Sequence, residues 1–140
     1  MEGAEGVAIN WISVLAASVV GFVVGGLWYG PLFGHPWMRS LGMDPDVVKN
    51  APKKGLRRIF TIVFILQWCM AVCLAFFFGP DITTATGSLY GLFTGLFWVA
   101  FALTVNALFE QKPWSYIFIN AGYWTVTFVL MGAILGTWHG

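Results

Sequence analysis

The sequence predicts an all-α integral membrane protein, a bundle of four transmembrane helices. Two observations carry that prediction. The 140 residues are 59% hydrophobic and only 9% charged, where a soluble domain carries about a quarter charged residues. Charged side chains are also absent between Glu5 and Arg39, Arg58 and Asp81, Asp81 and Glu110, and after Lys112. Each gap holds the ~20 apolar residues needed to cross about 30 Å of hydrocarbon. Spans are expected near 7–29, 59–78, 87–108 and 114–135, in a single membrane domain covering 1–140. A soluble helical bundle would instead show polar faces at helical period.

The first span follows an acidic start, Glu2 and Glu5, where a secretory signal would be basic. It is read as a retained span. Within it Ser13, Ala17, Gly21 and Gly25 recur every four residues and form one flat ridge. Lipid is as apolar as leucine, so helices associate through close backbone contact and hydrogen bonds, and small residues permit that approach. Gly30-Pro31, Gly34 and Pro36 are read as a helix stop at the membrane surface, because proline lacks a donor and glycine loosens the backbone.

The loop over about 33–58 is the main polar segment. Six of seven basic residues lie there: Arg39, Lys49, Lys53, Lys54, Arg57 and Arg58. The positive-inside rule places this loop and Lys112 in the cytoplasm and both termini outside. Trp37 and Trp114 then mark the inner interface, Trp11 and Trp138 the outer one. Asp44-Pro45-Asp46 reads as a short helix start, with Asp44 as cap and Pro45 in the first turn. The run from Lys53 to Arg58 should rest near anionic head groups.

In the third span Gly87, Gly91 and Gly95 repeat the four-residue ridge; in the fourth, Gly132 and Gly136 do so. Ser18, Gly21, Gly25 and Trp28 are echoed by Ser88, Gly91, Gly95 and Trp98 at a constant offset of 70. Either the chain duplicates a two-helix unit about an axis along the membrane normal, or the few residue types of membrane helices recur by chance.

Gln67, Asn106 and Asn120 all fall in the expected cytoplasmic half. A bare amide in hydrocarbon costs several kcal/mol, so a buried polar cluster of these three is expected, as interhelical glue or as a polar path. Trp28, Trp68, Trp98 and Trp124 lie too deep for interface residues and are expected to fill the core.

Chemistry is not visible. Carboxylates occur only in loops or at ends, and no histidine stands at the depth of the buried hydroxyls, so no catalytic residue is assigned. His35 and His139 fall on opposite sides, and Cys69 and Cys73 form at most a two-thiolate pair; no metal or cofactor is expected. No ionisable residue lies inside a span, which argues against an ion-coupled pump. No charged tail points to nucleic acid.

Asn10-Trp11 opens the first span, Gly26-Leu27-Trp28-Tyr29 closes it, and Leu32-Phe33-Gly34 and Trp37 follow. On Asn10, Trp11, Trp28, Tyr29, Phe33, Gly34 and Trp37, and on Gly136-Thr137-Trp138 near the end, the chain resembles the bacterial membrane family known as domain of unknown function 1761. The resemblance implies a small four-span protein and no established activity. Helical spans favour the bacterial inner membrane over the barrel-dominated outer one. The expectation is a structural or accessory protein that self-associates as a homo-oligomer or docks on a larger membrane complex. The alternative is a channel or transporter for a small neutral or lipid-like solute.

Overall fold

The computed structural model describes residues 9–52, 54–79 and 81–138. Val7 and Ala8, the acidic Glu2 and Glu5, Lys53 and His139 lie outside the described residues. Helix α1 runs Trp11–Leu27. Asn10 caps it, its Oδ1 accepting from the backbone N–H groups of Ile12 and Ser13 at 3.1 and 3.2 Å and satisfying two donors that a helix start leaves open.

Gly30-Pro31 does not stop this helix. The chain widens into a π-helical turn over Trp28–Leu32 that contains Pro31. Proline has no N–H to donate and its ring crowds the carbonyl four residues back. A wider turn relieves both problems: the Phe33 N–H reaches the Trp28 carbonyl, five residues back, at 2.8 Å. The break comes at Phe33, and α2 follows at Gly34–Ser40. Gly42, at φ +75°, closes α2. Helix α3, Pro45–Asn50, starts as a capped turn, with the Asp44 carboxylate accepting from the Asp46 N–H at 2.9 Å.

Helix α4, Leu56–Phe77, is the second span. Helix α5, Thr84–Phe93, opens with a reciprocal cap in which Thr83 and Thr86 each accept the other's backbone N–H. It continues through a π-helical stretch, Thr94–Ala100, into α6, Phe101–Phe109; together these form the third span. Helix α7, Trp114–Thr137, is the fourth.

Four helices are therefore long and apolar enough to cross a membrane, with mean hydropathy between 1.6 and 2.4. Only 17% of the most apolar stretch of the second and third spans is buried. Surface that apolar, left outside the bundle, is stable in hydrocarbon and not in water. The chain is a multi-pass membrane protein.

The fourth span is the hub, packing along the third and against the first, which in turn packs on the second. The second and third spans do not pair along their length among the described residues. The core lies in the half of the bundle where α1 begins and α4 ends. Val14 and Ala17 there meet Ala71, Leu74 and Phe78 of the second segment and Phe128, Met131 and Leu135 of α7. The echo between the first and third spans does not extend to packing. Trp28 is half-buried, whereas Trp98 is 75% exposed; the first span has two packed neighbours and the third has one.

Candidate functional site

The small-residue positions lie mostly at helix contacts within the chain. A methyl group at Gly91 would overlap the Phe128 carbonyl oxygen, at Gly87 the Gly132 carbonyl, and at Gly136 the Thr83 carbonyl. At Gly95 it would stand 2.8 Å from the Trp124 carbonyl. Gly132 in turn faces the Gly87 carbonyl. The third and fourth spans thus touch backbone to backbone, the close approach that only glycine permits. Ser13, Ala17 and Gly21 of α1 are buried, while Gly25 is half-buried against the Tyr123 ring.

Gly21 leaves room for polar contact at the centre. The Tyr123 hydroxyl donates to the Gly21 carbonyl at 3.0 Å and accepts from Gln67 Nε2 at 2.5 Å. Three spans are joined through one phenol. Gln67 is 1% exposed, and its Oε1 has no partner among the described residues.

One helical turn earlier on α7, Asn120 Oδ1 accepts from the Tyr29 hydroxyl at 2.5 Å. The Asn120 amide donates to the Tyr116 carbonyl at 2.9 Å. The two amides are therefore linked by tyrosines and do not meet directly. Asn106 does not join them: it is exposed on α6, turned away from the bundle. Tyr29 and Tyr123 complete the site, and the amide pattern in the sequence does not mark them. A buried amide calls for a partner, and the hydroxyls that meet Gln67 and Asn120 come from other spans, Tyr123 and Tyr29.

Around this pair the residues from Trp28 to Trp37 form an aromatic end-cluster. The Trp28 indole N–H donates to the Ile119 carbonyl at 2.8 Å, beside Gly122, where a methyl would come within 3.0 Å of the indole. Phe33 packs on Trp28, and Tyr29 stands edge-on to both Trp37 and Tyr123. Gly34 is buried under the turn; a methyl there would meet the Tyr29 carbonyl at 2.7 Å. The π turn at Pro31 is what swings Phe33, Gly34 and Trp37 back over Tyr29.

The other residues singled out in sequence lie elsewhere. Trp11 is exposed at the start of α1 and stacks on Trp68, itself 37% exposed. Trp98 points away from the core altogether, and of the four deep tryptophans Trp28 and Trp124 alone are half-buried. Cys69 and Cys73 are exposed. In each case the face is set by the neighbour: the second and third spans lie at the two edges of the packing order, so most of their circumference has no helix to meet.

The family of proteins of unknown function DUF1761 matches residues 12–136. The chain belongs to that family. No curated protein and no solved structure is similar enough to match. Membership in DUF1761 brings no activity with it. The aromatic end-cluster nonetheless gives a structural account of the segment from Trp28 to Trp37: it docks the end of the first span onto the start of the fourth.

Proposed function

We propose that this DUF1761 protein is an accessory membrane protein that associates with other membrane helices through the outer face of its third span. One observation carries the reading. Trp98 sits near the middle of the 26-residue span, is 75% exposed, and its indole N–H has no partner among the described residues. An indole donor at that depth has no water to satisfy it. Ala102, Val105 and Asn106 extend the same exposed surface toward the basic end. The glycine ridge of the third span is occupied by the fourth, so association falls to this other face. A second copy of the chain is the first candidate partner, and a larger membrane complex is the other. The membrane is taken as the bacterial inner membrane, with the basic loop in the cytoplasm and both termini outside.

Photo-crosslinking from position 102, on the same exposed face with Trp98 kept intact, in native membranes tests this. A protein adduct, either a dimer or a heterologous partner, is the expected product, and Asn106→Ala should weaken it. Adducts to lipid alone would overturn the proposal.

A second reading, a channel or transporter for a small neutral solute, is favoured by the partnerless Gln67 Oε1 in the bundle interior. It requires solute flux into proteoliposomes that Gln67→Leu abolishes.

A further inference from the structure

We infer that the cleft between the first and second spans is a seat for one anionic phospholipid. The two helices meet at small residues in the core half, where Ala17 and Ala71 are fully buried. In the other half phenyl rings hold them apart: Phe22 stands edge-on to Phe60 and Phe64, with ring centroids 6.0 and 5.8 Å away. A wedge results, and it forms a groove of about 540 Å³ lined by Phe22, Arg57, Phe60, Thr61, Phe64 and Ile65.

The groove has a charged mouth and an apolar floor. Arg57 is the second residue of α4, at the end of the apolar span. Phe64 lies seven residues deeper, about 10 Å along the axis at 1.5 Å per residue. Thr61 has its hydroxyl turned onto the Arg57 carbonyl at 2.8 Å, which leaves the wall apolar. Phe60 and Ile65 are exposed on the lipid-facing side, so the groove opens to hydrocarbon. Its filler is therefore an acyl chain.

The head group is selected by charge. No ion pair joins the described residues, so the Arg57 guanidinium has no carboxylate partner. Lys54 and Arg58 add positive charge within one turn. A guanidinium beside a phospholipid phosphate makes charge-assisted hydrogen bonds, and a net negative head group satisfies the neighbouring cations too. Phosphate at the mouth and a chain along Phe60 and Phe64 describe one ligand, a phospholipid with an anionic head.

Native mass spectrometry of the full chain, delipidated in mild detergent and titrated with dioleoyl phosphatidylglycerol, tests the assignment. One tightly held phosphatidylglycerol is expected. Arg57→Gln should weaken it about fivefold, the effect of one basic side chain at a charged surface. Thr61→Trp, which fills the groove and keeps every charge, should abolish the adduct. Neutral phosphatidylcholine should bind more weakly, and inorganic phosphate should not compete. Equal binding of the two lipids, full retention by Thr61→Trp, or displacement by inorganic phosphate would each overturn the proposal.

Discussion

At the scale of single residues, the same residue type does opposite things according to what faces it. Gly91 lies against the Phe128 carbonyl, backbone that cannot move aside, whereas a methyl at Gly26 meets nothing within 4 Å. Gly91→Ala should therefore lower the melting temperature in detergent, by overpacking worth about 1–3 kcal/mol. Gly26→Ala should hold or raise it, since alanine is favoured over glycine inside a helix by up to about 1 kcal/mol. Equal effects would mean that the third and fourth spans are not in backbone contact. The glycines were legible in the sequence as a spaced ridge, but their partners were not. The amides show the same limit. Gln67 and Asn120 are drawn into the bundle by tyrosine hydroxyls, and Asn106, of the same chemistry, is left outside.

At the scale of elements, sequence specifies structure where the cause is local. The Asp44 cap and the turn at Pro45 depend on a few neighbouring atoms. Proline ends ordinary helices, and the sequence predicts a stop at Pro31. Here a π turn absorbs it and keeps the span going to Leu32. Pro31→Ala restores the missing donor and should let the turn tighten to α geometry. Each residue beyond it would then rotate by up to about 100°, carrying Trp37 away from Tyr29. The expected outcome is a lower melting temperature, although the substitution by itself improves the helix. A rise in stability would show that the π turn has no tertiary role.

At the scale of the whole molecule, the packing order second, first, fourth, third leaves the two edge spans bathed in lipid. This explains why the deep tryptophans divide, Trp28 and Trp124 half-buried inward and Trp98 outward. The proposed sidedness is a property at this scale and rests on the loop charges. With Cys69 and Cys73 replaced by alanine, a cysteine at Asn50 should resist a membrane-impermeant maleimide in intact cells. A cysteine at Asp81 should react. The reverse pattern would invert the orientation and leave the helix packing untouched.

The number of membrane helices was determined by the sequence alone, because the partition of a long uncharged stretch into hydrocarbon is a sum over its own residues. Which face of each helix turns inward was decided only by the tertiary structure. In lipid nearly every face is apolar, so hydrophobic pattern does not mark the inside. Burial there depends on which backbone can come close and which hydroxyl can reach an amide, and those are properties of pairs of helices.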